Sequence, residues 1–218
     1  MKLLNRSLIL FTLIITSGCS SAQTAWNTDG SFTKNGHRID TSLDNSYLGF
    51  ESEHGLFVAG YKIDPNGENI PYIVLLESNK ATPSEWGIDD SALQFFEHKG
   101  AVQLATYRGG HYVFTNAGWH KGELVFKKNS LILSDHSSLL ACNRPSLYKE
   151  NEDTSSCYSP VLGWSTPILW VDADPQLCHG KLVALIKQEG ELSRVEIDIN
   201  NGNILSSRHH QSNQPLCN

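Results

Sequence analysis

Short apolar runs separated by turn residues fill most of the chain after residue 36 and predict a mainly β fold. The clearest case is residues 192–199, where apolar side chains alternate with charged ones. This alternation is typical of an antiparallel strand with one exposed face. Residues 181–187 and 204–207 flank it, and Asn201-Gly202 is a strong hairpin signal. The C-terminal part of the chain is therefore predicted to be a three-stranded meander.

The same pattern predicts three more hairpins and one buried strand. Pro and Gly in residues 64–67 favour a turn, as does Gly109-Gly110. The predicted strand pairs are 55–63 with 70–77, 101–108 with 111–115, and 123–127 with 131–134. Residues 168–172 are predicted to form a buried strand.

Two segments show helix signals. Thr82 resembles a capping residue, Pro83 suits the first helical position and Glu85 completes a capping box. Residues 90–99 have Asp90 at their start and a glycine at their end, which predicts a second short helix. Residues 140–160 are rich in Ser, Asn, Glu and Asp and are predicted to form a long surface loop.

These elements predict one β-rich domain over residues 36–218. Its antiparallel hairpins and meander would form a sandwich, a barrel or a propeller-like domain with one or two short helices. We find no internal repeat in the sequence that is regular enough to count propeller blades.

The first residues have the layout of a secretory signal peptide. Lys2 and Arg6 precede the apolar run 7–15, and small residues follow it. A run of about nine apolar residues is shorter than the roughly 20 that span a bilayer. We therefore expect a cleaved signal and not a permanent membrane helix.

Thr16-Ser17-Gly18-Cys19 resembles the lipobox of bacterial lipoproteins, although Thr16 stands where Leu is usual. The resemblance implies a signal peptide over residues 1–18 and lipid attachment at Cys19, followed by a polar tether over 19–35. Because Ser20 and not Asp follows the cysteine, it also implies an outer-membrane lipoprotein facing the periplasm. The alternative is ordinary cleavage a few residues later, for example after Ala22.

The charge and the cysteine content of the chain limit the kinds of partner and the redox environment that we expect. The chain of 218 residues has a formal net charge of −6, and loss of Lys2 and Arg6 with the signal makes it −8. A negative surface repels phosphate backbones, so we expect no nucleic-acid partner. Beyond Cys19 there are four cysteines, which in an exported protein indicate two disulfides. Of three possible pairings, the sequence favours Cys142–Cys157 with Cys178–Cys217.

No catalytic or metal-binding motif is recognisable. Gly163-Trp164-Ser165 lacks the second glycine of a nucleophile elbow, and Pro167 opposes the helix that should follow. Nine histidines are present without His-Glu-x-x-His spacing, and the cysteine spacings match no zinc module. We therefore predict no metal and no cofactor, although one histidine could in principle serve as a general acid or base.

Aromatic residues near the cysteine-rich segment suggest a binding surface, because tyrosine and tryptophan dominate protein contacts. We expect carboxylates of the same segment to steer a basic partner. The candidate partner-binding residues are Tyr148, Glu150, Glu152, Asp153, Tyr158 and Trp164.

The function we expect is therefore binding, not catalysis: a protein-binding or inhibitor module held at a membrane by lipid. In size and character the chain is similar to lipoprotein immunity proteins that neutralise toxins delivered by type VI secretion, but it shares no motif with them. The alternatives are an envelope hydrolase with an unrecognised site and a structural or assembly lipoprotein.

Overall fold

The computed structural model describes residues 24–26, 32–34, 37–77, 82–135, 137–143, 155–170, 173–211 and 214–217. All regular structure in these ranges is β-strand, arranged as antiparallel sheets. The prediction of a mainly β fold is therefore confirmed. No helix long and apolar enough to cross a membrane is found in the described ranges.

The strands form one small sheet and four larger ones, which we number I to IV. The small sheet contains β1 (Thr24–Trp26), β2 (Phe32–Lys34) and β3 (His37–Ile39). Sheet I contains β4 (Asn45–Ser52), β5 (Gly55–Ile63), β6 (Asn69–Leu76) and β7 (Ser84–Gly87). Sheet II contains β8 (Ala92–His98), β9 (Ala101–Thr106), β10 (His111–Thr115) and β11 (Gly118–Lys121). Sheet III contains β12 (Ser130–Ser134), β13 (Leu139–Asn143), β14 (Ser156–Tyr158) and β15 (Ser165–Pro167). Sheet IV contains β16 (Gln176–Cys178), β17 (Lys181–Gln188), β18 (Glu191–Ile197) and β19 (Ile204–His209).

Sheets I to IV share one topology. In each sheet the four strands pair antiparallel in chain order. The first strands of successive sheets contact one another, β4 with β8, β8 with β12 and β12 with β16. Consecutive four-stranded meanders with neighbouring first strands are the arrangement of propeller blades. Of the architectures that the sequence left open, the fold is the propeller-like one.

The core lies between successive sheets. One hydrophobic cluster fills each of the three spaces between neighbouring sheets. The cluster between sheets I and II includes Phe57 and Phe95, and the cluster between II and III includes Phe96 and Phe126. The cluster between III and IV includes Leu140 and Leu182. The remaining face of sheet I is covered by Ile39 and Leu43, and that of sheet IV by Leu216. Each sheet is therefore packed on both faces.

Both predicted helices are wrong. Residues 84–87 form β7, which pairs with β6 and alternates half-buried and exposed side chains. Residues 92–98 form β8, in which the adjacent Phe95 and Phe96 are both buried, in different clusters. Adjacent strand residues point to opposite faces, so this phenylalanine pair serves two interfaces at once. The helix signals were overridden by packing between sheets.

The predicted hairpin of residues 123–127 and 131–134 is also wrong. Residues 122–129 connect β11 to β12 without forming a strand, and the Phe126 amide donates to the Gly109 carbonyl. Its ring is buried between sheets II and III. The partner of β12 is β13. The apolar residues of this segment therefore cover a core and do not pair as a strand.

The loop predicted over residues 140–160 is in part buried sheet. Residues 139–143 and 156–158 form β13 and β14, which pair with each other, and residues 144–154 lie outside the described ranges. Of the strand predicted over 168–172, residues 171 and 172 lie outside the described ranges, and the described part, 168–170, forms one isolated bridge between Leu169 and Leu185. Ile168 is nevertheless buried in the cluster between sheets III and IV.

Candidate functional site

The turns of the four large sheets collect at two ends of the molecule. An antiparallel meander reverses direction at every turn. The connections from the first to the second strand and from the third to the fourth strand therefore lie at the same end of a sheet. We call this end of the molecule the first-turn end.

A cavity of about 280 Å³ opens at the first-turn end between sheets I and II. The β4–β5 turn contributes Glu53 and His54, and the β8–β9 hairpin contributes the rest. The residues lining the cavity are Glu53, His54, Glu97, His98, Lys99, Gly100 and Val102. The charged residues Glu53, Glu97 and Lys99 therefore stand around a common space.

The hairpin between β8 and β9 fixes this half of the cavity. His98 pairs with Ala101, which leaves Lys99 and Gly100 as a two-residue turn. Both have positive φ, 53° and 73°. Positive φ at both central positions is the backbone of a type I′ turn, whose twist matches that of the flanking strands. The hairpin therefore holds Glu97 and His98 at the rim without a flexible loop.

His98 is the unusual residue of the cavity. Its side chain is buried, with 5% of the residue exposed. Neither ring nitrogen has a hydrogen-bond partner among the described residues. Burial lowers the pKa of His98, the Lys99 ammonium lowers it further, and the backbone and the charge of Asp135 oppose both effects. At neutral pH the imidazole is therefore uncharged.

A second buried histidine lies behind the cavity. His111 Nε2 and Gln103 Oε1 are 2.9 Å apart, and the Gln103 amide donates to the His98 carbonyl at 3.2 Å. The Leu124 amide donates to His111 Nδ1 at 3.2 Å, so Nε2 carries the proton. Burial, aided by the nearby His98, lowers the pKa of His111 to about 4. This network fixes the backbone of His98, whose ring lies on the Phe96 side of β8, near His111 and Asp135.

The two predicted cysteine pairs are both present as disulfides. Cys142 and Cys157 are directly opposite each other on β13 and β14, and both are fully buried. Cys178, at the end of β16, is joined to Cys217 in the C-terminal tail. The Arg194 Nε donates to the Leu216 carbonyl at 2.8 Å and holds the same tail.

Tyr158, a candidate for partner contact, is a core residue. It is 7% exposed and belongs to the cluster between sheets II and III. Its hydroxyl accepts a hydrogen bond from the Lys127 amide at 2.6 Å, and Lys127 Nζ lies 4.7 Å from the ring centre. The assignment of Tyr158 as a partner-binding residue is therefore corrected, because its ring is already enclosed.

Trp164 is half-buried at the first-turn end. Its Nε1 donates to the Ile199 carbonyl at 2.9 Å, and its ring lies against Gly202 in the β18–β19 turn. A Cβ atom on Gly202 would stand only 2.7 Å from the ring. Trp164 thus joins the outer turns of sheets III and IV and retains some exposed surface.

The other predicted site residues lie outside the described ranges: Cys19, Tyr148, Glu150, Glu152 and Asp153.

Sequence reasoning missed the cavity, although a signal for it exists. Acid-His or Cys-His dipeptides occur at the first turn of every large sheet, as Glu53-His54, Glu97-His98, Asp135-His136 and Cys178-His179. His136 itself is outside the described ranges. The histidines stand at positions 54, 98, 136 and 179, one for each successive large sheet. The other turns differ in length between the sheets, which makes this recurrence hard to see in the sequence.

The described residues contain no group of three or more His, Cys, Asp or Glu side chains arranged to hold a metal ion. What the rim of the cavity offers chemically is the carboxylates of Glu53 and Glu97 and the ammonium group of Lys99. Comparison of the chain with family models and with curated proteins finds no match.

Proposed function

We propose that the protein is an exported lipoprotein that binds another protein at the cell envelope and inhibits it, as an immunity protein does. The observation that carries the binding proposal is an apolar patch at the first-turn end. Val161 and Leu162 in the β14–β15 turn and Ile204 and Leu205 at the start of β19 are each about half exposed. Trp164 lies between these two turns.

Exposed apolar side chains grouped around a tryptophan are typical of the centre of a protein interface. The net charge of −6 favours a basic partner through long-range attraction. Two disulfides support an oxidising compartment, as the predicted signal peptide would require. We expect Glu150, Glu152 and Asp153 to add to the attraction of a basic partner and Tyr148 to supply a further aromatic contact.

The test is capture of the partner from native envelope extracts with the lipidated protein and matched variants. We expect Leu162→Asp to reduce recovery of the specific partner about tenfold, because a buried charge at an interface centre is costly. Val125→Asp is the control, since Val125 is 78% exposed and lies on the β11–β12 connection at the other end of the molecule. Equal recovery of the partner with both variants would contradict the proposal that the apolar patch binds it.

Inhibition is tested in cells. A deletion strain should become sensitive to neighbouring cells that deliver a toxin into the periplasm, and the wild-type gene should restore resistance while the Leu162→Asp gene should not. Normal resistance of the deletion strain would contradict an immunity role.

Membrane attachment has its own test. We expect Cys19→Ala to abolish incorporation of labelled palmitate and to release the protein from the outer-membrane fraction. Unchanged fractionation of this variant would favour ordinary cleavage, for example after Ala22.

A second candidate function is hydrolysis of a wall or lipid substrate. The observation that favours it is His54 at the cavity, whose Nε2 lies 3.8 Å from Glu53 Oε1, since an accessible histidine beside a carboxylate can act as a general base. A purified protein that degrades envelope material, and a His54→Gln variant that does not, would support this candidate.

A further inference from the structure

The outer edge of sheet IV is a long strand that pairs on one side only. β19 has six residues, all of them exposed, and its one strand partner within the described ranges is β18. The outer strands of sheets I, II and III have four, four and three residues, and each contains buried or half-buried side chains. An unpaired strand edge is a template on which a further strand can add. Among the outer strands of the four large sheets, β19 therefore offers the most complete site of this kind.

The register of β18 and β19 shows which backbone groups face outward. The His210 amide donates to the Leu192 carbonyl at 2.9 Å, so the backbone at position 210 points toward β18. Backbone groups of successive residues point to alternate sides of a strand, and Arg208 thus also faces β18. The amide and carbonyl groups of Ser207 and His209 face away from the sheet, and no described backbone group bonds to them. They present two donors and two acceptors along the free edge.

The side chains of β19 indicate the chemistry of the strand that would be added. Ile204 and Leu205, at its start, belong to the apolar patch. Arg208, near its end, is exposed and has no ion-pair partner among the described residues, whereas His209 Nδ1 lies 3.4 Å from Glu191 Oε2. Opposite charges on directly paired strand residues stabilise a sheet, and like charges destabilise it. An antiparallel strand, the more stable kind of pairing, would match these features with an acidic residue opposite the arginine and apolar residues nearer its own C-terminus.

A second copy of this chain would match β19 less well. If two β19 strands paired antiparallel about Ser207, Leu205 would stand opposite His209 and Arg208 opposite Ser206. An apolar side chain would then meet a polar one, and no carboxylate would stand opposite either arginine. Charged residues on edge strands also oppose such self-pairing. We therefore take the occupant to be a different protein.

We propose that the partner protein adds an extended segment to β19 as a fifth, antiparallel strand of sheet IV. The segment would carry an acidic residue opposite Arg208, followed after two residues by two apolar residues opposite Leu205 and Ile204. The inference rests on the proposed binding function and names the part of the partner that reaches the edge of the apolar patch. One acidic residue within the segment is a local requirement and is compatible with a partner that is basic overall.

The experiment is an NMR titration of the ¹⁵N-labelled protein with the peptide acetyl-Thr-Glu-Thr-Thr-Val-Val-amide as the probe. Its glutamate would stand opposite Arg208 and its two valines opposite Leu205 and Ile204. We expect weak affinity, because a short flexible peptide loses conformational freedom when it is ordered. Binding should shift the amide signals of Ser207 and His209 and slow their hydrogen exchange, which should be fast in the free protein.

Two N-methylated peptides test the backbone pairing without changing the protein. The third amide of the probe would face Ser207, whereas the fourth would point away from the sheet. N-methylation of the third residue removes a donor of the strand pairing and should weaken binding about tenfold or more. N-methylation of the fourth residue is the matched control and should leave the affinity within about twofold. Equal affinities of the two methylated peptides would overturn the proposal, as would absence of binding by the unmodified probe.

Exchange of charges tests the acidic residue. Arg208→Glu should weaken binding of the probe about fivefold and should strengthen binding of a peptide with lysine in place of the glutamate. Arg108→Glu is the matched control, because Arg108 is an exposed arginine in the β9–β10 turn of sheet II, and it should alter neither affinity. If Arg208→Glu kept the preference for the glutamate peptide, the proposal would be wrong.

Self-pairing is the competing explanation. If sedimentation equilibrium shows that the free protein dimerises and the amides of Ser207 and His209 are protected in the dimer, the edge belongs to a second copy and the proposal is overturned. Protection of these amides in the free monomer would also overturn it, since the edge would then be covered.

The titration and the capture experiment can fail separately. A failed titration with a successful capture would remove the added strand and leave the apolar patch as the binding surface. A failed capture with a successful titration would remove the inhibitor function and leave the strand-binding edge.

Discussion

His111 couples the stability of the protein to pH. Its pKa is about 4 in the folded state, mainly because of burial, against about 6.5 for an ordinary histidine. Between these values the unfolded chain binds more protons than the folded one. The contribution of His111 to stability is therefore complete above pH 6.5 and is lost as the pH falls toward 4.

We expect the free energy of unfolding to decrease by about 3 kcal/mol from this residue between pH 7 and pH 4. His111→Gln should flatten this dependence, whatever its effect at pH 7, while the exposed His120→Gln should leave it unchanged. Urea unfolding at several pH values measures the slope. Identical slopes for the wild type and His111→Gln would contradict the assignment.

Gly109 and Gly100 have similar backbone angles and different surroundings. Both have positive φ, 91° and 73°. A Cβ at position 109 would lie 2.0 Å from the Phe126 carbonyl oxygen, whereas nothing lies within 4 Å of one at position 100. Alanine at either position carries the strain of positive φ, but only at 109 must backbone also move.

We therefore expect Gly109→Ala to destabilise the protein by about 3 kcal/mol or more and Gly100→Ala by about 1 kcal/mol. Thermal or urea unfolding of both variants measures the difference. Equal effects would show that the approach of Phe126 to Gly109 is not a constraint on the fold.

At the scale of elements, the two disulfides differ in how well they are protected. Cys142 and Cys157 are fully buried between paired strands, whereas Cys217 is only half-buried at the chain end. Thiolate attack requires access to a sulfur atom. We expect mild reduction without denaturant to open Cys178–Cys217 first, as measured by alkylation and mass spectrometry.

Opening the C-terminal disulfide should also loosen the tail. Leu216 packs on Val183 and Leu185 of sheet IV, and the bridge closes a segment of 39 residues. Removing it with Cys178→Ser and Cys217→Ser should cost about 4 kcal/mol by the chain-entropy argument. The buried bridge, which spans 15 residues, should be worth about 3 kcal/mol. A larger loss for the shorter bridge would show that packing and not loop closure dominates.

The same elements show how far the sequence predicts the fold. Alternation and turn residues located β5, β6 and the meander of sheet IV correctly, since these strands are long and their turns contain Asn-Gly or Pro and Gly. Short strands were missed or misread. β7 has four residues and begins within a capping pattern, and β14 has three residues inside a polar segment. These segments become strands because they pair with neighbouring strands, and a local sequence pattern carries no information about such pairing.

The candidate site was harder to predict than the fold, for a related reason. His98 looks like an ordinary surface histidine in the sequence, because it stands between Glu97 and Lys99 at a turn. Its burial results from packing of one sheet against the next. His54 and His179 also lie at the turn between the first and second strands of their sheets, but this becomes visible only when the four sheets are aligned.

At the scale of the whole molecule, the fold is a series of sheets, and each hydrophobic cluster of the core lies between two neighbouring sheets. Phe95 contacts Phe50, Phe57 and Trp119 between sheets I and II. Phe96 contacts His111 and Phe126 on the opposite side. Although adjacent in sequence, the two rings share none of these aromatic partners.

This separation predicts how their substitutions combine. We expect Phe95→Leu and Phe96→Leu each to destabilise the protein by about 1 kcal/mol, because each leaves a small cavity in a different interface. Sites without shared partners add within roughly 0.5 kcal/mol, so the double variant should lose close to the sum. Phe57→Leu combined with Phe95→Leu is the contrasting pair, since these rings are 6.1 Å apart in one interface and should couple. Strong coupling between Phe95 and Phe96 in urea unfolding would mean that sheets I to III share a single core, and the serial arrangement would be wrong.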